Sequence, residues 1–204
     1  MLTAALTGGI ATGKTYVRLR FERLGAACLD ADHLAHGVMT AGTEATQAIA
    51  AHFGPGVLAP DGSVNRAALG PLVFRDDDAR RALERIVHPA VWRAIHVAMR
   101  ALRAAEHPAV VMIEIPLVYE TGRANEFDRV VATVCSQAVQ MKRLVERGLS
   151  LDEARQRLGS QLPADEKARL ADYVVTTDGS FEETDRQVDA VWQSLLQASA
   201  SVAS

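Results

Sequence analysis

A short apolar run, Leu2-Thr3-Ala4-Ala5-Leu6, passes into Gly8-Gly9-Ile10-Ala11-Thr12-Gly13-Lys14-Thr15 and then into a helical stretch, Tyr16 to Leu24, closed by Gly25. The glycine-rich segment matches G-x-x-x-x-G-K-[ST], and the pattern requires this context of a strand before it and a helix after it. Gly8, Gly9 and Gly13 let the chain wrap so that successive N–H groups face inward, a cradle of partial positive charge for phosphate oxygens. Lys14 adds a full charge near the β- and γ-phosphates, and the Thr15 hydroxyl can complete the shell of a bound Mg²⁺. The dipole of the following helix points at the same anion. The ligand class implied is a nucleoside triphosphate; the motif alone names no reaction.

Bulk properties narrow the setting. The chain has 204 residues, 49% hydrophobic and 23% charged, enough for one sizeable core or a core with a smaller insertion. No apolar run approaches the roughly 18 residues that span a bilayer, and no secretory leader pattern opens the chain, so a cytoplasmic protein without a membrane partner is expected. A formal net charge of -3 argues against a general nucleic-acid surface. The two cysteines, Cys28 and Cys135, each fall in a predicted strand and read as small buried hydrophobes.

Apolar segments at 2–6, 26–29, 110–115, 129–135 and 173–176 alternate with helical patterns, as in a parallel sheet buried on both faces. Such sheets place ligand sites at the carboxyl ends of their strands, where the glycine-rich loop, Asp30 to His33 and Glu114 to Glu120 all fall. About eighty residues separate the second and third segments, too many for a simple crossover, and suggest a helical insertion. Within it, Val91, Trp92, Ile95, Met99 and Leu102 follow the spacing of one core-facing helix face. His88-Pro89 reads as the start of that helix, with Pro89 in its first turn. Gly54-Pro55-Gly56 and Pro60-Asp61-Gly62 signal turns. Capping patterns at Ser150–Glu153 and Ser180–Glu183 predict two late helices, and the Ala/Ser-rich tail from Ala198 to Ser204 reads as frayed.

Several charged residues are candidates for chemistry. Alternation in an extended chain would point Asp30 and Asp32 to one side, offering a base to a hydroxyl that attacks a γ-phosphate; the competing reading makes Asp32 a helix N-cap. Glu114 suits an acid that orients Mg²⁺ through water, or one that caps the following turn. Arginines from 143 to 157 fit a lid that offsets developing charge and excludes water, or a solvated helix face. His88 is a candidate substrate contact with an equally available structural role.

Taken together, Leu6 to Ile10 running into Gly13-Lys14-Thr15, Asp30-Ala31-Asp32, His88-Pro89, Pro116-Leu117 with Glu120, and Arg155 to Gln161 followed by Ala171-Asp172-Tyr173-Val174 resemble the dephospho-CoA kinase family over nearly the whole chain. The resemblance implies an α/β fold of the P-loop NTPase type, with a five-stranded parallel sheet flanked by helices. It implies a core of 1–33 and 108–204, a helical CoA-binding insertion over 34–107, and a lid near 140–162. It further implies transfer of phosphate from ATP, with Mg²⁺, to the ribose 3′-hydroxyl of dephospho-CoA, the last step of coenzyme A synthesis. On that resemblance Asp32 is the base, Lys14 the phosphate clamp, Thr15 the Mg²⁺ contact, and Arg147 and Arg155 charge stabilisers. Gly8, Gly9 and the stretch Ala11, Thr12, Gly13, Lys14, Thr15 and Tyr16 would hold ATP.

Three positions depart from the family pattern. Ala11 stands where glycine is usual, so the loop is expected to adopt a conformation tolerable to a β-carbon there. Glu114 replaces a frequent Asp, and Thr176-Thr177-Asp178-Gly179 replaces a stretch that commonly carries Asn before Gly. Two other readings stay open on the residues alone: another small-molecule P-loop kinase, and a nucleotide-dependent switch. The second lacks an Asn-Lys-x-Asp guanine-reading segment.

Overall fold

Five parallel strands form the sheet, in the order β2-β3-β1-β4-β5. They are β1 (Leu2–Gly8), β2 (Ala27–Asp30), β3 (Val110–Glu114), β4 (Arg129–Val134) and β5 (Tyr173–Thr176). A computed structural model describes residues 1–105 and 108–202 of the chain. β1 and β3 are buried along their whole length, which explains why they read as unbroken apolar runs rather than as alternating ones. Register is regular: Leu2 to Leu6 face Val110 to Glu114, and Ala4 to Gly8 face Arg129 to Thr133.

The helices are α1 (Lys14–Arg23), α2 (Ala31–Gly37), α3 (Glu44–Phe53), α4 (Arg66–Arg75), α5 (Asp77–Ala105), α6 (Gln137–Glu146), α7 (Leu151–Gly159), α8 (Ala164–Leu170) and α9 (Phe181–Val202). The chain divides into two compact units, residues 1–29 with 102–204, and residues 30–101.

In the first unit, Leu2, Leu6 and Met112 of the sheet meet Val17 and Phe21 of α1 and Val188, Trp192 and Leu195 of α9. Val17 and Phe21 stand one helical turn apart and are wholly buried, so α1 is pinned by a narrow apolar stripe while its other face carries charge. Arg20 grips Asp189 of α9 with two bonds from one nitrogen, at 2.7 and 2.9 Å. The tail does not fray where expected. α9 continues to Val202 because Ser199 is buried and donates to the Ala109 carbonyl at 2.8 Å, and Ala198 packs on the core. Ala203 and Ser204 lie outside the described residues. Cys28 lies in β2, but Cys135 sits one residue beyond β4, not within it.

The second unit is helical, with a core of Ile49, Val57, Val64 and Leu69 against Leu83, Ile86 and Val87. The Gly54-Pro55-Gly56 turn opens a 3₁₀ turn over Pro55–Val57, and Pro60-Asp61-Gly62 closes a loop whose ends meet in a Leu58–Val64 bridge. His88-Pro89 does not start a helix. α5 runs unbroken from Asp77, with Pro89 inside it. An interior proline costs about 3 kcal/mol or more. Here apolar burial on both sides of it, Leu83, Ile86 and Val87 before and Val91 and Ile95 after, offsets that cost.

Candidate active site

β1 ends at Gly8, whose φ of 153° and surroundings exclude any side chain: a β-carbon there would lie 2.3 Å from Thr133 Oγ1 and 2.5 Å from the Thr133 carbonyl. The loop beyond it closes with Thr12 N–H on the Gly9 carbonyl, and Gly13 (φ 89°) delivers the chain into α1. The amides of Gly13, Thr15 and Tyr16 have no hydrogen-bond partner among the described residues, as the first turn of a helix dictates. A phosphate at a helix N-terminus meets such donors. Lys14 Nζ donates to the Gly8 and Gly9 carbonyls at 2.9 and 3.0 Å, folding the ammonium back over the loop. Thr15 is exposed in the first turn of α1, with Tyr16 half-buried beside it.

Ala11 overturns one expectation. The loop has not relaxed to suit a β-carbon: Ala11 has φ 62°, the one positive φ outside glycine among the described residues. The left-handed region costs an L-residue about 1–2 kcal/mol. Burial explains how it persists, because the Ala11 side chain packs with Leu144 of α6 and Ala154 of α7.

A cleft of about 400 Å³ opens beside the loop, lined by Ala11, Gly13, Tyr16, Arg143, Arg147 and Thr177, with Phe181 and its neighbours closing one side. Phe181 is 68% exposed, and its ring centroid lies 4.7 Å from that of Tyr16. Tyr16 Oη donates to Asp185 at 2.8 Å, and that bond to a carboxylate pushes the phenol's pKa up. Thr177 Oγ1 donates to the Thr12 carbonyl at 2.8 Å, so the segment after β5 is tied to the loop. Sequence reasoning had noted Thr177 only within the stretch 176–179, a departure from the family pattern bearing on the adenine contact, and had not marked Phe181. Their place after the carboxyl end of a parallel strand was the available signal.

The arginines separate into distinct roles. Arg143 is half-buried, donating to the Ala11 carbonyl at 3.0 Å and to the Thr177 carbonyl at 2.6 Å, which makes it part of the scaffold. Arg147, exposed at the end of α6, lines the cleft with Tyr16. Arg155 lines a second cleft of about 600 Å³ with Gly9, Gln140 and Gln161, and pairs with Asp152 at 3.1 Å. The two arginines named together from sequence therefore border different clefts. Ser150 and Glu153 form the expected capping box at the start of α7.

Glu114 is 8% exposed and accepts from Arg18 Nε at 3.0 Å. Glu120 accepts from the Leu162 amide at 3.0 Å and pairs with Lys167 at 2.8 Å, bracing the segment between α7 and α8. Among the described residues no group of three or more His, Cys, Asp or Glu could hold a metal ion.

Asp32 and His88 belong to the second unit. The strand-alternation argument for Asp30 and Asp32 does not hold. Asp30 ends β2 and caps α2, accepting from the Asp32 and His33 amides at 2.9 and 3.0 Å, so the chain turns helical at Ala31. Asp32 is thus an exposed residue in the first turn of α2, and the N-cap is Asp30. His88 is half-buried in the middle of α5.

Comparison with known proteins bears on this geometry. Residues 2–183 match the family model described as Dephospho-CoA kinase. A dephospho-CoA kinase of Geobacter metallireducens is 43% identical over 198 residues, spanning 97% of this chain and 98% of its own. A crystal structure from Thermus thermophilus superposes with a TM-score of 0.79 at 31% identity, covering 95% of this chain and 97% of that one. The dephospho-CoA kinase of Campylobacter jejuni gives 0.73 at 27% identity, covering 96% and 98%. With a glycine-rich loop at the end of β1, a bordering cleft and a match over nearly the whole chain, this chain belongs to the dephospho-CoA kinase family.

Proposed function

We propose that the protein transfers the γ-phosphoryl group of ATP to the ribose 3′-hydroxyl of dephospho-CoA, releasing coenzyme A and ADP in the cytoplasm, without nucleic-acid or membrane partners. The observation that carries this reading is the glycine loop, with the Gly13, Thr15 and Tyr16 amides lacking a partner among the described residues and Lys14 folded over it, in a chain of this family. The triphosphate would lie along the amides from Ala11 to Tyr16, displacing Lys14 Nζ from the Gly8 and Gly9 carbonyls onto phosphate oxygens. Adenine suits the cleft of Tyr16, Arg147 and Phe181, where a guanidinium and an aromatic edge are available to a flat base.

Thr15 would contact Mg²⁺, which when bound would neutralise charge on the transferring group; among the described residues no carboxylate cluster offers a cage for it. Glu114, committed to Arg18, is left outside that shell. Asp32 would hold the acceptor hydroxyl and take its proton as the oxygen attacks phosphorus, an effect typically of order 10² to 10⁴ in rate. Arg147 and Arg155 would offset charge on the leaving ADP and exclude water when α6 and α7 close as a lid. His88 and the helices of residues 34–107 would contact the acceptor. A coupled ADP-release assay comparing dephospho-CoA, nucleoside monophosphates and no acceptor tests the reading. Turnover with a nucleotide acceptor but none with dephospho-CoA would overturn it.

A further inference from the structure

The two peptide units that flank Ile10 are each held by a side chain from the α6–α7 hairpin. Gln161, just beyond α7, accepts the Ile10 N–H on Oε1 at 2.8 Å. Gln140, on α6 and 6% exposed, donates Nε2 to the Ile10 carbonyl at 2.7 Å. The two amides converge on Gly9, where a β-carbon would stand 2.9 Å from Gln140 Nε2 and 3.9 Å from Gln161 Oε1. Arg143 takes the next carbonyl, that of Ala11, at 3.0 Å. Three backbone groups of the loop, the N–H and carbonyl of Ile10 and the carbonyl of Ala11, are thereby committed to one hairpin.

The electrostatic consequence is direct. A phosphate cradle works only while amide hydrogens, not carbonyl oxygens, face the anion. A glycine-flanked peptide can flip at low cost, and a flip would exchange one for the other. Gln161 holds the Gly9–Ile10 peptide by its N–H and Gln140 holds the Ile10–Ala11 peptide by its carbonyl, so a flip of either would break the bond that anchors it. Ala11, held at positive φ and packed on Leu144 and Ala154, adds an apolar contact to the same hairpin.

We propose that Gln140 and Gln161 are positioning residues that set the phosphate loop in its anion-binding form and couple its shape to the hairpin that would serve as the lid. The proposal rests on the reading that ATP binds at this loop. Neither glutamine needs to touch the nucleotide; each acts through one of the two peptides that flank Ile10.

The test uses the full-length protein with Gln140→Met, Gln161→Met and the double variant, which preserve side-chain length and remove only the amide. ADP affinity is read by calorimetry, and kcat and both KM values by steady-state kinetics. Each single variant is expected to weaken ADP binding and raise the ATP KM about tenfold. The acceptor KM should stay unchanged and kcat should change less than about threefold. The double variant should be worse than either single one, since each glutamine anchors a different peptide of the loop. Gln161 is only half-buried, so Gln161→Met decides alone if the buried Gln140 variant fails to fold. ADP affinity within twofold of the parent in Gln161→Met overturns the coupling while leaving ATP binding at the loop intact. A parent protein that binds no ADP overturns both.

Discussion

Lys167 Nζ lies 2.8 Å from Glu120 and 2.6 Å from the Pro116 carbonyl, with the lysine side chain wholly buried and the glutamate 23% exposed. A lysine reads from sequence as one more charge in a basic stretch, yet this one is a strut. It joins α8 to the segment after β3, and through the Leu162 amide Glu120 also holds the segment after α7.

Removing one partner of such a pair leaves a charge without compensation, so Glu120→Ala should lower stability by about 3 kcal/mol. Lys167→Met, which removes the buried charge but keeps the apolar stem, should cost less. Urea unfolding followed by circular dichroism checks the order of the two.

Asp32→Asn should reduce turnover by about 10² or more and leave ADP binding within about twofold, because a base acts on the acceptor and not on the nucleotide. ADP release and ADP calorimetry, run on the same preparation, read the two effects separately. Near-normal turnover would remove Asp32 from the mechanism.

Ala11→Gly sets two effects against each other. Relief of the positive φ favours the variant by about 1 kcal/mol. Loss of a buried methyl among Leu144 and Ala154, about 0.8 kcal/mol, opposes it, as does the added freedom of glycine in the unfolded chain. The expected net change in unfolding free energy is under about 1 kcal/mol; a loss of 3 kcal/mol, on that same scale, would show that the φ strain had been overvalued.

Burial pushes the Cys28 thiol up to about 12 from an ordinary 9.0. A folded-state pKa above the unfolded one contributes stability that is present below pH 9 and is lost as pH rises towards 12. Cys28→Ala should therefore show a shallower alkaline decline in urea midpoint than the parent between pH 8.5 and about 11. Parallel declines would refute the assignment. Cys135, also raised chiefly by burial, should likewise resist alkylation near neutral pH in the folded protein.

Much of the architecture was legible in the chain because local chemistry decided it. The five strand segments, the capping boxes at Ser150 and Ser180, and the loop from Gly8 to Thr15 each depend on residues within a few positions of one another. Ala11 could be singled out as unusual by residue type, but not its response, since whether a β-carbon forces the loop to relax depends on what packs against it. Pro89 misled for the same reason: a local helix-starter was overridden by burial along both halves of α5. Asp30 and Asp32 misled in the opposite direction, because a strand period was carried two residues past the point where Asp30 caps a helix.

The sequence by itself determined the glycine-rich loop and the order of the strands along the chain, since backbone freedom at glycine, the charge of Lys14 and apolar periodicity are properties of neighbouring residues. Only the tertiary structure decided which of many like charges and amides have a specific partner. Arg143, Arg147 and Arg155 differ little in sequence context, yet one braces the loop and the others line two separate clefts. Gln140 and Gln161 stand twenty-one positions apart and meet on the backbone of a single residue, Ile10. Such pairings arise from distance in space and removal from water, which no local pattern records.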